Sequence, residues 1–280
     1  MQFRFYIANM NALKFIKMNG LGNDFVVIDG RDKPIEISLA QAQAIADRRR
    51  GIGCDQIILL EKSDARADIK MRIRNSDGGE VEACGNASRC IAKLIMDEKG
   101  INHAKIDTLG GILIAKKIGD NISIDMGPAF LEWQDIPLLK PMDTLSLSIV
   151  EGPLKNPVAV GVGNPHAVFF VNDPNTIDLE KIGPIIEHHS FYPNRTNVSV
   201  AEVLSSNKIR ARVWERGAGL TLACGTGACA TLIAAVRRGL TDRKAIVELD
   251  GGSLEIEWCE DNHVFMSGTA EINFTGTWTN

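Results

Sequence analysis

Short apolar runs rich in β-branched residues, each bounded by glycine, aspartate or asparagine, recur along most of this chain. In the first half they read "DFVVID", "QIILLE", "IKMRIRN", "ILIAKKI" and "NISIDMG". In the second they read "VAVGV", "AVFFV", "TNVSVAEV", "KIRARVWE", "AIVEL", "SLEIEW" and "HVFMSG". Runs of this length and composition predict strands. Helical spacing is sparser. "SLAQAQAIADRR" opens on Ser38 as an N-cap and ends before Gly51. A second helix, predicted from Ala87, places Ile91, Leu94 and Ile95 on one face and stops at Gly100. A third, from Ala228, carries Leu232, Ala235 and Val236, with Arg237 and Arg238 before Gly239. Apolar residues at these spacings, closed by a glycine, are the signature of a packed helix.

The pattern repeats. "GLGNDF" from Gly20 is echoed by "GVGNPH" from Gly161, "ACG" from Ala83 recurs from Ala223, and Met126 in "DMGPA" aligns with Met266 in "MSGTA". The separations are 141, 140 and 140 residues, half the chain, and one constant register implies a duplicated architecture. The expected fold is therefore α+β: two pseudo-symmetric lobes, each a curved, mostly antiparallel, barrel-like sheet around a central helix, with the active site between them. The lobes are expected at 1–135, carrying Cys84, and 136–280, carrying Cys224, with the Pro-rich stretch 130–155 between and the C-terminal end adding a strand to the first lobe. Residues before Ala12 read as an edge strand or as a segment upstream of an alternative start at Met10.

Composition narrows the function. With 280 residues, 45% apolar, 24% charged and a formal charge of -4, the chain is an ordinary globular protein without the basic surface that nucleic acid requires. The N-terminal segment lacks a signal-peptide core and no run reaches eighteen apolar residues, so a cytoplasmic protein with no membrane partner is expected. Six cysteines in such a chain read as reduced thiols. Their spacings match no zinc or redox pattern, and "GLGNDF" and "GVGNPH" put Phe25 and His166 where a dinucleotide loop needs its third glycine. Neither a metal nor a cofactor is implied.

Two of the thiols stand apart. Cys84 and Cys224 each precede a glycine at the mouth of a predicted helix, whereas Cys54, Cys90, Cys229 and Cys259 lack that context and read as core residues. Unpaired amides and the positive end of the helix dipole favour thiolate at such a position, and the adjoining glycine lets a ligand carboxylate approach the backbone. Facing one another across a lobe interface, two such thiols can remove a proton from one face of a carbon and return one to the other. That is the chemistry of a two-base racemase or epimerase.

Beyond this, "GLGNDF", "RRRGIGCDQ", "NSDGGEVEACGN", "GNPH", "RTNVSV" and "ERGAGLTLACGTGACA" together resemble the diaminopimelate epimerases, over nearly the whole chain. The resemblance implies a cofactor-independent isomerase that interconverts LL- and meso-diaminopimelate in lysine biosynthesis, and a homodimer. It assigns catalysis to Cys84 and Cys224, tuning of the thiols to His166 and Glu215, and substrate binding to Asn23, Gln56, Asn75, Asn164, Asn197, Glu215 and Arg216. Gly85, Asn86, Gly225 and Thr226 would hold the reacting carboxylate. A forked cation at Arg216 suits a distal carboxylate, and amide oxygens suit ammonium groups. The sequence departs from the family at Asn19, where histidine is usual, at Ala87 and Ser88, and at Leu220. Proline or hydroxyproline racemases share the two-thiol logic, and a non-catalytic amino-acid binding protein is a reading of a different class.

Overall fold

The computed structural model describes residues 12–64, 66–82 and 84–279. The expectations for the segment before Ala12 lie outside the described residues. Within them the chain is α+β, as expected, with four α-helices: α1 (Leu39–Ala46), α2 (Gly85–Lys99), α3 (Leu179–Glu187) and α4 (Gly225–Arg237). Instead of two separate sheets, the main strands form one seventeen-stranded sheet. Continuity across the halves comes from His263–Gly268 pairing antiparallel with Asn121–Pro128. The last strand, Glu271–Trp278, returns to pair with the first, Leu13–Gly20.

The repeat is visible in the hydrogen-bond register. Asn23–Asp29 runs parallel to Gln56–Glu61 with Phe25 opposite Gln56, and Pro165–Phe170 runs parallel to Asn197–Ser205 with His166 opposite Asn197. A second parallel contact follows in each half, Ile69 with Ile106 and Ile209 with Val247. The remaining ladders are antiparallel.

Each half curls around its helix. α2 packs on Leu13–Gly20 and also on His103–Thr108, Gly111–Ile118 and Asn121–Pro128, so strands from both ends of that half reach it. α4 is enclosed in the same way. The strands are apolar on both faces because both are covered. Phe25, Val27, Ile58 and Leu60 face α2, while the alternate residues Val26, Ile28, Ile57 and Leu59 form a second core with Ile45 and Ala46 of α1. A strand buried on both faces reads as a continuous apolar run, which is how "FVVI" and "IILL" arise.

Local signals set the helix ends. Ser38 caps α1 in a full capping box with Gln41. α2 stops at Gly100, whose φ of 66° suits glycine. α2 and α4 begin two or three residues before the apolar spacing predicts, on Gly85 and Gly225, so the preceding cysteines become their N-caps. Cys54, Cys90 and Cys229 are buried as expected, whereas Cys259 is partly exposed at the end of Gly252–Trp258.

Candidate active site

The two thiols occupy equivalent places. Cys84 caps α2 and Cys224 caps α4, both in extended backbone, so each sulfur lies at the amide end of a helix. Cys224 Sγ accepts from the Gly227 amide at 3.3 Å and lies 3.6 Å from Thr226 Oγ1. Cys84 Sγ lies 3.7 Å from Asn23 Oδ1.

The helix mouths meet. Asn86 Nδ2, in the first turn of α2, donates to the carbonyl of Ala223, next to Cys224, at 3.2 Å, and to Asn23 Oδ1 at 3.3 Å. Met266 sits beneath both mouths. A Cβ on Gly85 would come 2.6 Å from its Cε, and one on Gly225 2.7 Å from its Sδ. A side chain on either glycine would have to displace the end of this methionine.

Around Cys224 the support is ionisable. Glu215, at the end of Lys208–Glu215, accepts a hydrogen bond from Thr221 Oγ1 at 2.6 Å, and its charge helps raise the Cys224 thiol. Burial raises its carboxyl above the usual range, against the pull of Thr221 and Cys224. His166 touches neither thiol by a hydrogen bond. Its Nε2 donates to Asn164 Oδ1 at 2.8 Å, a tautomer assigned from that partner, and Asn164 Nδ2 donates to Thr226 Oγ1 at 3.3 Å. Complete burial lowers the imidazole to about 3, with Arg216 adding to the effect, so it is neutral. Asn164 and Thr226 thus join His166 to Cys224 by a chain of polar contacts.

Around Cys84 the support is amide. Asn23 Nδ2 donates to Asp55 Oδ2 at 2.9 Å, which turns its oxygen toward Cys84 and Asn86. Asp55 is in turn bound by Arg48 at 2.6 Å and by the Asp24 amide at 3.0 Å. Gln56 Nε2 donates to Asn75 Oδ1 at 2.9 Å, and among the described residues the buried Gln56 Oε1 and Asn86 Oδ1 have no partner. Two free amide oxygens in a part-buried site can accept from an ammonium group. Asn197 Oδ1 accepts from the Arg216 amide at 2.8 Å, and Arg216 Nη1 donates to the Asn194 carbonyl at 2.9 Å. The rest of that exposed guanidinium is left to recognise an anion.

Burial dominates both thiols. It pushes Cys84 up to about 11, partly offset by the Ala87 and Asn86 amides, and the Glu215 charge adds to the rise. Cys224 is raised well above the ordinary thiol value by burial and then by Glu215. Both are therefore thiols at rest and strong bases once ionised.

Sequence reasoning overlooked Asp55, Thr221 and Met266. Asp55 lay within "RRRGIGCDQ", and Met266 stood in the repeat register as the mate of Met126. Thr221 lay within "ERGAGLTLACGTGACA", three residues before Cys224. Among the departures, Asn19 bonds Asn273 Oδ1 at 3.2 Å, Ser88 Oγ binds the Cys84 carbonyl at 2.8 Å, and Leu220 packs partly buried beside Trp214. Among the described residues, no group of three or more His, Cys, Asp and Glu side chains is arranged to hold a metal. No helix there is long and apolar enough to cross a membrane.

Residues 15–131 and 158–273 match the family model for diaminopimelate epimerase. The diaminopimelate epimerase of Rhodospirillum centenum is 54% identical over 265 residues, covering 94% of this chain and 91% of that protein. That of Acidiphilium cryptum is 51% identical over 266 residues, covering 95% and 96%. Among solved structures, a hydroxyproline epimerase from Agrobacterium vitis superposes with a TM-score of 0.67 at 14% identity, covering 96% of this chain and 92% of that one. A phenazine biosynthesis protein of the PhzF family from Bacillus anthracis gives a TM-score of 0.68 at 15% identity, covering 97% and 100%. At such identities these last two share the fold alone. Two helix-capping thiols in one register and half-identity over nearly the whole length lead to one statement: the chain belongs to the diaminopimelate epimerase family.

Proposed function

We propose that this protein interconverts LL- and meso-2,6-diaminopimelate by a two-base reaction in which Cys84 and Cys224 exchange protons with one α-carbon. The observation that carries it is the meeting of two cysteine-capped helix mouths through Asn86 and Met266. In one direction Glu215 takes the Cys224 proton, and the Cys224 thiolate then breaks the Cα–H bond and becomes a thiol. The Cys84 thiol supplies a proton to the opposite face and is left as the thiolate. The configuration is inverted, Glu215 is left protonated, and the negative charge has passed from Glu215 by way of Cys224 to Cys84. In the reverse direction the roles exchange.

The other residues hold the substrate. Amides of Gly85, Asn86, Gly225 and Thr226 receive the reacting carboxylate at the positive ends of α2 and α4, where the charge that develops on it is stabilised. The distal carboxylate meets Arg216, and the ammonium groups meet the amide oxygens of Asn23, Gln56, Asn75, Asn86, Asn164 and Asn197 together with Glu215. Closing the site over a doubly zwitterionic substrate removes water and strengthens each contact. A substrate lacking the second charged end, such as proline, leaves Arg216 unused.

The test is α-proton exchange. Reduced protein is incubated with LL-diaminopimelate in D₂O with a chelator present and no pyridoxal phosphate, then followed by NMR and chiral chromatography. Deuterium at one α-carbon with meso product is expected. Absence of exchange in folded, fully reduced protein overturns the reading and directs the assay to proline and other amino acids.

A further inference from the structure

Arg89, on α2, is completely buried. Its Nε donates to the Thr269 carbonyl at 3.3 Å, and Nη1 lies 3.5 Å from Met266 Sδ. Among the described residues Nη2 has no hydrogen-bond partner, and no carboxylate lies within ion-pair distance of the guanidinium. Burial lowers its pKa, and the groups whose ionisation would oppose that are the Cys90, Cys84 and Cys229 thiols, all neutral at rest. An uncompensated buried cation costs several kcal/mol, so its retention calls for an anion that comes and goes.

The guanidinium lies beside the first turn of α2. A Cβ on Gly20 would meet Nη2 at 3.2 Å and the Asn86 carbonyl at 3.3 Å, so both border one point near the helix mouth. Through Met266, Arg89 also adjoins the place where Gly85 and Gly225 meet. Helical side chains lean toward the N-terminus, which directs Arg89 at the Cys84 end of α2.

The repeat supplies an independent argument. At a separation of 140 residues, Cys84 answers to Cys224, Asn75 to Glu215 and Arg89 to Cys229. Cys224 has a carboxyl to exchange its proton with; Cys84 has an amide in that place. Cys84 has a cation on its own helix; Cys224 has a neutral thiol there. The two halves thus offer unlike support to like thiols, and the proposed reaction leaves Cys84 holding the charge after each inversion in one direction.

We propose that Arg89 is the internal counter-charge of the Cys84 thiolate, a positioning residue that supports the reaction without touching the substrate. This rests on the two-base reading for its role in turnover, but the charge pairing can be measured without substrate. The other groups facing Cys84 are Glu215, whose charge opposes the thiolate, the Asn86 and Ala87 amides, which favour it, and Asn23.

The experiment is site-resolved alkylation by iodoacetamide as a function of pH, with Cys84 and Cys224 peptides quantified by mass spectrometry. Arg89→Met, close in volume but neutral, is expected to move the Cys84 midpoint up by roughly one pH unit or more, slowing alkylation below the midpoint about tenfold. Arg89→Lys should keep most of the native rate, and the Cys224 midpoint should move less. Should Arg89→Met fail to fold, Arg89→Gln, which keeps a polar group there without the charge, takes its place, and the same upward shift at Cys84 is expected. An unchanged Cys84 midpoint in a folded neutral variant, with only a lowered melting temperature, overturns the proposal. If the shift occurs while the wild type shows no α-proton exchange, the counter-charge stands and the epimerase reading falls.

Discussion

At the scale of single residues the site is built from unlike neighbours of two equivalent thiols. Cys84→Ala and Cys224→Ala are each expected to remove turnover, by a factor of about a thousand or more, with folding retained; a steady-state assay with circular dichroism checks both. Thr221→Val tests the carboxyl beside Cys224. Thr221 lowers the Glu215 pKa and burial raises it, so losing the hydroxyl raises it further. If ionised Glu215 is the proton acceptor, the acid limb of the kcat/KM profile moves to higher pH; an unmoved limb removes Glu215 from that role. Asp55→Ala should free the Asn23 amide and lower kcat on the order of tenfold, because a misplaced polar group near the reacting carbon costs orientation.

Among elements, what matters is where a helix begins. Starting α2 and α4 on glycine makes the preceding cysteine the cap and brings both amide ends over Met266. Gly225→Ala places a Cβ 2.7 Å from Met266 Sδ, and a loss of about 1–3 kcal/mol is expected in chemical denaturation, together with lost activity. The capping box of α1 lies away from the thiols. Ser38→Ala should cost about 1 kcal/mol and leave kcat unchanged, so loss of activity there would show that α1 does more than cover the outer core.

Over the whole molecule, buried titratable groups set the response to acid. His166 is neutral in the fold because burial lowers it to about 3, against 6.5 for the free side chain. The unfolded chain therefore binds the extra proton between those values. Stability is fully present above about pH 6.5 and falls as pH drops toward 3, by up to ~1.4 kcal/mol per unit. Asp24 acts in the same direction lower down: burial raises its pKa, but Arg48 and Lys17 together hold it well below the usual carboxylate range. Urea melts across pH 3 to 7 should show the decline, and His166→Asn should flatten its upper part.

Much of this was legible in the chain because the signals are local or periodic. The strands "QIILLE" and "KIRARVWE", the cap at Ser38, the stop at Gly100 and the 140-residue register each depend on a few neighbouring residues or on plain repetition. The strand Leu13–Gly20 and α3 were not legible. "LKFIKMNG" mixes lysines into its apolar positions and α3 carries Pro184, so packing, not pattern, specifies them. The site divides in the same way. Two glycine-flanked cysteines in one register identify the thiols, since helix-end chemistry is written in adjacent residues. Tertiary structure alone decided that one sheet runs through both halves, that His166 is joined to Cys224 by a chain of contacts through Asn164 and Thr226, and that among the described residues Arg89 lies buried without a carboxylate. Those facts arise where distant segments share a dry interior, and there the strength of a charge is set by what the fold places beside it and not by its neighbours in the chain.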